Sequence, residues 1–373
     1  MAGIYIHIPF CKQACHYCNF HFSTSLQLKN DFLTALLKEI EWQRDYLSGQ
    51  TVETIYFGGG TPSLLSSGEL DSILNSLQRH FPVAAGAEIT LESNPDDIGA
   101  ERVEEWKQLG INRLSLGIQS FFEEDLQWMN RAHSADQAKR SMEIILSRIS
   151  NVTVDLIYGG PTLPDAHWIR NIETVVDFGV PHVSCYALTV EPKTALSVLI
   201  EKKRKQDVDT DDQARQFQLL MERLEAAGYE HYEISNFAKP GYRSRHNSSY
   251  WSGAHYLGLG PSAHSFNGVS RQWNVANNAL YIKSIEMGSL QMEKEVLSEK
   301  DRFNEYIMTS LRTMEGVDMG KVRADFGEEV ATELEKQLVD IVSFGQAERS
   351  DRGWRLTRAG RLLADGIAAG LFL

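Results

Sequence analysis

The sequence predicts an α/β protein in which residues 1–230 alternate strands with helices around a parallel sheet. Short apolar, β-branched runs recur along this part of the chain, and amphipathic stretches such as residues 28–46 separate them. Repeated strand–helix units favour a parallel sheet, either doubly wound or barrel-like, with function at the carboxyl ends of the strands. The predicted strands are 4–8, 54–57, 87–91, 113–118, 152–157 and 182–188.

The composition is that of a folded globular protein and limits the classes of partner. Of the 373 residues, 42% are hydrophobic and 23% are charged. The formal net charge of −13 argues against binding nucleic acid or anionic membrane through bulk charge. No apolar run reaches the length of a membrane helix, and residues 1–5 lack the features of a secretory signal. We therefore expect a cytoplasmic protein with no transmembrane segment and no nucleic-acid partner.

Three cysteines directly after the first predicted strand indicate a metal cluster. Cys11, Cys15 and Cys18 have the spacing C-x3-C-x2-C. Three thiolates can hold three irons of a 4Fe-4S cluster and leave the fourth iron open to a small molecule. A zinc site is the alternative and would need His16 or His21 as a fourth ligand; unpaired thiols without a metal are a further one. The only other cysteine, Cys185, lies in an apolar run and is typical of a buried hydrophobic residue.

Polar or glycine-rich motifs follow the later strands at the edge where function is expected. A glycine run lets the backbone approach a ligand, although it could equally be a tight turn. A carboxylate inside an apolar strand must be paired or hydrogen-bonded, which makes Asp155 a stronger site candidate than an exposed acid. Each of the others has an ordinary alternative, such as a helix cap for Glu92, a surface charge for Arg131 and barrel packing for Tyr186 and Ala187. The residues concerned, in or after the predicted strands, are Gly59, Gly60, Thr61, Glu92, Gln119, Arg131, Asp155, Tyr186 and Ala187.

Residues 5–10, Tyr-Ile-His-Ile-Pro-Phe, followed by the cysteine loop, resemble the start of the radical S-adenosylmethionine proteins related to oxygen-independent coproporphyrinogen oxidase. The resemblance implies a partial, TIM-like barrel of six β/α units, a 4Fe-4S cluster on Cys11, Cys15 and Cys18, and S-adenosylmethionine on the open iron. It assigns the methionine amino group to the glycine run, the methionine carboxylate to Arg131 and the ribose to Asp155. The implied cofactor-binding residues are Tyr5, Gly59, Gly60, Thr61, Glu92, Gln119, Arg131, Asp155 and Ala187.

Residues 229–266 are rich in aromatic, His and Gly residues, and they separate two functional hypotheses. Residues 246–251, His-Asn-Ser-Ser-Tyr-Trp, are similar to the His-Asn-x-x-Tyr-Trp signature of the heme chaperone branch of this family. That branch implies heme as a ligand, a heme-accepting protein as a partner and His246 as the candidate heme ligand, with His255 and His264 left open. The alternative is anaerobic oxidative decarboxylation of coproporphyrinogen. The oxidases continue the cysteine loop as Cys-x-Cys, whereas Asn19 and Phe20 follow Cys18 here, which favours the chaperone.

The chain divides into three predicted segments. Residues 1–230 form the partial barrel, residues 231–295 complete the site, and residues 296–373 form a smaller, mainly helical domain. In the last segment, helices at 299–314, 322–326 and 328–344 precede a hairpin over 347–357, which resembles a winged helix. Its charges are mixed, so we interpret it as a lid or docking module. The sequence is compatible with a dimer and does not establish one.

Replacing Cys15 with serine is expected to abolish the absorbance of the cluster and leave the fold intact, because it removes one thiolate ligand from an exposed loop. Iron content and visible absorbance after anaerobic reconstitution measure the first effect, and far-ultraviolet circular dichroism measures the second. Cys185→Ala is the matched control and should retain the cluster. Unchanged iron content in Cys15→Ser would remove the basis for the cluster.

Overall fold

Six parallel strands lie side by side in chain order. A computed structural model describes residues 2–373, and in it each strand pairs with the next one along the chain. A doubly wound sheet would reverse its order at a switch point, so this order is that of a barrel wall. All six predicted strands are confirmed; the first five are longer than predicted, and the sixth ends one residue earlier, at Ala187. They are β1 (Ala2–Ile8), β2 (Val52–Gly59), β3 (Val83–Ser93), β4 (Arg113–Gln119), β5 (Val152–Tyr158) and β6 (His182–Ala187).

Helices connect these strands and bury one face of the sheet. Two of them begin at capping boxes, Ser66 with Glu69 and Ser134 with Gln137, which satisfy free amide groups of the first turn. The first helix covers only part of the predicted range 28–46, because turns occupy residues after Trp42. The helices are α1 (Lys29–Trp42), α2 (Ser67–His80), α3 (Ala100–Gln108), α4 (Glu123–Trp128), α5 (Ala135–Leu146), α6 (Asp165–Asp177), α7 (Ala195–Glu201) and α8 (Thr210–Ala226).

Residues 231–295 extend the same sheet at both edges, which the sequence did not predict. The first two strands of this part pair beside β6, and the others continue the sheet beyond β1, giving twelve strands in all. The strand beside β1 is parallel to it, and those beyond are antiparallel. The elements are β7 (Glu230–Glu233), β8 (Asn236–Ala238), α9 (Arg245–Trp251), β9 (His255–Leu259), β10 (His264–Phe266), β11 (Ser270–Asn274), α10 (Asn278–Glu286) and β12 (Met292–Val296).

The C-terminal part packs helices against a small sheet around a second apolar core. Phe303, Leu334 and Trp354 are among the buried side chains of this core, which is separate from that of the barrel. The predicted hairpin is confirmed, and the winged-helix-like architecture with it. The elements are α11 (Glu299–Ser310), β13 (Val317–Asp318), α12 (Met319–Phe326), α13 (Glu328–Ser343), β14 (Ala347–Arg349), β15 (Gly353–Leu356), α14 (Arg358–Arg361) and α15 (Ala364–Gly370).

Alternation along β1 separates the core from the concave face of the sheet. Ile4, Ile6 and Ile8 are completely buried, whereas Tyr5 between them is only partly buried. Successive side chains of a strand point to opposite faces, so the isoleucines pack under the helices and Tyr5 lies on the concave face. Within residues 2–373, none of the helices combines the length and the apolar character that crossing a bilayer requires.

A buried carboxylate on α1 joins the barrel to the strands beyond β1. Glu39 is fully buried, and its two oxygens accept three hydrogen bonds. The donors are the Gly260 amide at 2.8 Å, the Tyr281 hydroxyl at 2.6 Å and the Asn274 side-chain amide at 2.6 Å. Burial raises the pKa of Glu39, and these three donors work in the opposite direction. One carboxylate therefore fixes the end of β9, the end of β11 and helix α10.

Glu39→Ala is expected to lower the free energy of unfolding by about 3 kcal/mol, because it leaves three buried donors without an acceptor. Chemical denaturation followed by circular dichroism measures the change. The control is Glu41→Ala, two residues away and exposed on the same helix, which should shift stability by no more than about 0.5 kcal/mol. Equal effects of the two substitutions would contradict the role of Glu39.

Candidate cofactor site

Three free cysteines follow β1 in one loop. Cys11, Cys15 and Cys18 are each partly exposed, and none forms a disulfide. The loop is held against the body of the barrel by its backbone, since the His16 amide donates to the Met129 carbonyl at 3.1 Å. The three thiols line one cavity, which places them together as a cluster requires.

Both histidines proposed for the zinc alternative are engaged elsewhere. His16 Nδ1 lies 3.1 Å from the Trp128 carbonyl oxygen, and His21 Nε2 lies 2.7 Å from Asn278 Oδ1. In the described range 2–373, no three His, Cys, Asp or Glu side chains are grouped so that they could hold a single metal ion. A polynuclear cluster needs only the three thiols, because it spreads them over several irons.

A cavity of about 450 Å³ lies at the carboxyl ends of the barrel strands, and we call it the strand-end cavity. Apolar side chains, among them Phe20, Phe22 and Leu188, form part of its wall. Every residue predicted for the cluster or for S-adenosylmethionine lines it except Tyr5, whereas the candidate heme ligands His246, His255 and His264 do not. Those that line it are Cys11, Cys15, Cys18, Gly59, Gly60, Thr61, Glu92, Gln119, Arg131, Asp155, Tyr186 and Ala187.

The glycine run at the end of β2 is a close-packed part of this wall. A Cβ on Gly59, whose φ is +106°, would lie 2.6 Å from the His7 ring, and one on Gly60 would lie 2.5 Å from the Phe10 carbonyl oxygen. The Gly60 and Thr61 amides donate to backbone carbonyls of β1 and the following loop. Only glycine fits at both positions, so the run brings bare backbone to the cavity.

Glu92, at the end of β3, is a carboxyl group with a raised pKa. Its pKa is about 7, because burial and, to a smaller extent, the Asp155 carboxylate raise it more than the Tyr56 hydroxyl and the Gly59 amide lower it. The Tyr56 hydroxyl donates to Glu92 Oε1 at 2.8 Å. Glu92 therefore titrates near neutral pH, and it would release its proton when a cation binds in the cavity.

Asp155, which the sequence singles out by its position in an apolar strand, is the second acid that lines the cavity. Burial raises its pKa to about 6, and hydroxyl donors from Ser184 and Ser115 lower it. The Ser115 hydroxyl lies 3.1 Å from Asp155 Oδ2. A carboxyl group held by neutral hydroxyls can still accept hydrogen bonds from a ligand.

Arg131 is a partly buried cation that connects the cysteine loop to β4. Its Nη1 donates to Cys15 Sγ at 3.3 Å, and its Nη2 donates to Asn94 Oδ1 at 2.6 Å and to the Gly117 carbonyl at 2.7 Å. Burial opposes its charge, but Tyr17 and Cys15 outweigh burial and raise its pKa. Its Nε has no partner among the described residues, which leaves a buried donor for a ligand. Arg131 is thus part of the site and not a surface charge.

Three polar residues of the site had no motif of their own and were missed. Tyr56 holds Glu92, Asn94 joins Arg131 to Thr61, and Ser115 supports Asp155. Strand alternation is the signal that could have found Tyr56, because it lies two residues before Gly58 on the concave face. Gln119, on the cavity wall, has a φ of +68°, a strained backbone conformation for a residue other than glycine. Nothing in the sequence around Gln119 predicts this conformation.

Tyr5 and His246 lie beside the strand-end cavity and not on its wall. The Tyr5 ring stacks on Tyr56 at 6.1 Å between centroids, and its hydroxyl lies 3.2 Å from His7 Nδ1. His246 is 1% exposed, and its Nδ1 and Nε2 lie 2.8 Å from Thr54 Oγ1 and 2.9 Å from the Tyr250 hydroxyl. Its ring also stacks on Tyr56 at 4.9 Å. Both residues thus contact the tyrosine that holds Glu92.

The chain matches two known families. The model described as the radical SAM superfamily covers residues 5–182, and the HemN C-terminal domain covers residues 297–363. A solved structure of coproporphyrinogen III oxidase from Escherichia coli has a TM-score of 0.85 and covers 100% of this chain and 90% of its own, at 22% identity. That likeness establishes the fold. Membership in the radical SAM superfamily carries the 4Fe-4S cluster, which the cysteine loop predicted, and S-adenosylmethionine, which the resemblance implied.

Curated relatives resemble the chain over nearly its whole length. It is 36% identical to the heme chaperone HemW of Mycobacterium tuberculosis, over 98% of this chain and 93% of the relative. The heme chaperone HemW of Bacillus subtilis is 33% identical over 98% of both chains, and that of Escherichia coli 31% identical over 98% and 96%. These values confirm the resemblance on which the sequence prediction rested, and the chain belongs to the HemW family within the radical SAM superfamily.

Proposed function

We propose that this protein is a heme chaperone, which binds heme and passes it to an acceptor protein in the cytoplasm. The observation that carries the proposal is the identity of more than 30% to three chaperones of that name along nearly the whole chain. The acidic net charge supports a function without nucleic acid. A reducing cytoplasm suits a protein with three partly exposed cluster thiols.

Cys11, Cys15 and Cys18 would hold the cluster at the mouth of the strand-end cavity. The Arg131 guanidinium donates to Cys15 Sγ and would lie beside the cluster as a positive charge. Burial raises the pKa of Cys11 to about 11, so iron must displace its proton. When bound, the cluster supplies the single electron that reductive chemistry of S-adenosylmethionine requires.

The strand-end cavity would hold S-adenosylmethionine through complementary charge and bare backbone. Glu92 and Asp155 offer acidic groups to its cationic and hydroxyl groups, and the free Nε of Arg131 offers a donor to its carboxylate. Gly59, Gly60 and Thr61 bring backbone to the ligand, and Gln119 and Ala187 complete the wall. Tyr5 would act through Tyr56, on which it stacks.

His246 stays the residue that the sequence predicts as a heme ligand, but its geometry makes that role costly. Both of its ring nitrogens have partners within the protein, and the residue is buried. Burial also lowers its pKa to about 3, which keeps the ring neutral. Binding iron would require the imidazole to leave Thr54 and Tyr250 and to become exposed.

The alternative is the oxidase reaction, because the whole fold resembles that of coproporphyrinogen III oxidase. One feature of this chain argues against it. Phe20, where the oxidases have a further cysteine, is 66% exposed beside the strand-end cavity. An exposed aromatic ring beside the cluster loop suits contact with a flat macrocycle better than ligation of iron.

Two anaerobic measurements on one cluster-reconstituted sample test the proposal. A heme titration followed by absorbance should give stoichiometric binding, because the proposed activity is to carry heme. Incubation with coproporphyrinogen, reductant and S-adenosylmethionine should give no decarboxylated porphyrin. Product formation without heme binding would replace the chaperone with the oxidase.

Binding of S-adenosylmethionine is expected to release a proton from Glu92. The pKa of this carboxyl group is about 7 in the free protein, so the group is mostly protonated at about pH 6.5, and a bound cation favours the ionised form. Isothermal titration calorimetry in two buffers of different ionisation enthalpy measures the released proton. At about pH 8.5 the release should vanish, because Glu92 is then already ionised.

Glu92→Gln should remove most of the proton release at the lower pH, leaving the smaller share of Asp155, whose pKa is about 6. The matched control is Glu124→Gln, an exposed carboxylate on α4 that does not line the strand-end cavity. A binding heat independent of the buffer in the unsubstituted protein would show that Glu92 does not face the bound cation.

A further inference from the structure

The concave face of the barrel continues across the strands that residues 231–295 add beside β1. Tyr5 on β1 pairs with Gly258 on β9, and Tyr56 pairs with Tyr5 on the other side. Farther out, His264 on β10 pairs with Trp273 on β11. Ser265, the neighbour of His264, is buried on the opposite face, so alternation places His264 on the concave face.

The backbone of β10 at His264 lies close to the backbone of β9 at Gly258. A Cβ at Gly258 would collide with the His264 carbonyl oxygen, so β10 passes over the space where a side chain of β9 would lie. The turn between the strands is fixed at both ends. The Gly260 amide donates to Glu39, and the Asn274 amide donates to the Ala263 carbonyl at 3.0 Å. His264 therefore stands on a rigid support close to β1.

The three histidines that the sequence left open as heme ligands differ in their availability. His246 is buried with both ring nitrogens occupied. His255 Nδ1 lies 2.7 Å from Gln50 Nε2. His264 is exposed, and among residues 2–373 neither of its ring nitrogens has a hydrogen-bond partner. His255 Nε2 has no hydrogen-bond partner among these residues, but the side chain is partly buried, so His264 is the one of the three that is exposed with both ring nitrogens free.

The surroundings of His264 suit an iron macrocycle. Its ring stacks on Trp273 with 5.7 Å between centroids and 22° between planes, which fixes the imidazole and adds a flat apolar surface. Partial burial lowers its pKa, as does the positive charge of Arg271. The imidazole is therefore neutral at neutral pH, the form that binds metals.

We propose that His264 is the protein ligand to heme iron, and that heme lies on the concave face of β9–β11 beside Trp273. This assignment rests on the proposed heme chaperone function and adds the binding surface to it. The heme would lie next to Tyr5, on the same face as Glu92 and the strand-end cavity. It gives His246 a different role, in which that histidine positions Tyr56 by stacking on its ring.

The test is a heme titration of the full-length, cluster-reconstituted protein and of His264→Ala, followed by absorbance and electron paramagnetic resonance. In His264→Ala the heme dissociation constant should rise at least about tenfold, and the imidazole-ligated signature should disappear. Added imidazole should restore that signature, because it replaces the missing side chain. Cluster content should not change. The matched control is His80→Ala, a partly exposed histidine at the end of α2 that should bind heme like the unsubstituted protein.

Unchanged affinity and signature in His264→Ala would overturn the assignment. Loss of the signature in His246→Ala, with His264→Ala unaffected, would return the ligand to the position that the sequence motif predicts. Failure of the unsubstituted protein to bind heme would instead overturn the proposed function, and the assignment with it. The unsubstituted protein and the two variants thus distinguish an incorrect ligand from an incorrect function.

Discussion

The register of the parallel strands is the constraint on which the site depends. Tyr5 lies opposite Tyr56, and Tyr56 lies opposite Thr90, so alternate residues of three strands share the concave face. The residues between them, such as Ile4, Ile6 and Phe57, are fully buried under the helices. A slip of one residue would exchange the two sets, burying polar groups in the core and exposing isoleucine to the cavity. The apolar core therefore holds the site in position without taking part in its chemistry.

The strand-end cavity has acidic groups whose charge the protein only partly balances. Burial raises the pKa of both Glu92 and Asp155, which means that the surrounding donors do not fully stabilise their ionised forms. Arg131 is directed mainly to the cysteine loop and to backbone and amide oxygens. A ligand with positive charge would complete the balance, and S-adenosylmethionine carries a sulfonium and an ammonium group. The same cavity thus has acidic groups for a cationic ligand at one side and cysteine thiols for a metal cluster at the other.

The sequence predicts the barrel well and the added strands poorly, for a physical reason. The six barrel strands are buried on the helix side and contain continuous apolar or β-branched runs. β12 is exposed at every position, and β7 and β8 are only a few residues long, so none shows a clear period-two pattern. At the site, cysteines, glycines and Asp155 stand out because their chemistry is unusual at a strand end. Tyr56, Asn94 and Ser115 do not, because their roles come from contacts across strands that only the register reveals.

The motif at residues 246–251 identifies the family correctly but does not decide whether His246 is a heme ligand. His246 lies on α9 but acts on β2, where its ring covers Tyr56 and its Nδ1 meets Thr54. Tyr56 in turn donates to Glu92, so a residue outside the barrel helps to fix a carboxyl group inside it. Tyr5 stacks on the same tyrosine from the side of β9 and His264. A heme on the concave face of β9–β11 would lie next to Tyr5, and S-adenosylmethionine would lie next to Glu92, which Tyr56 holds, so Tyr5 and Tyr56 would connect the two ligands. By thermodynamic linkage, heme and S-adenosylmethionine must each change the affinity for the other by the same factor.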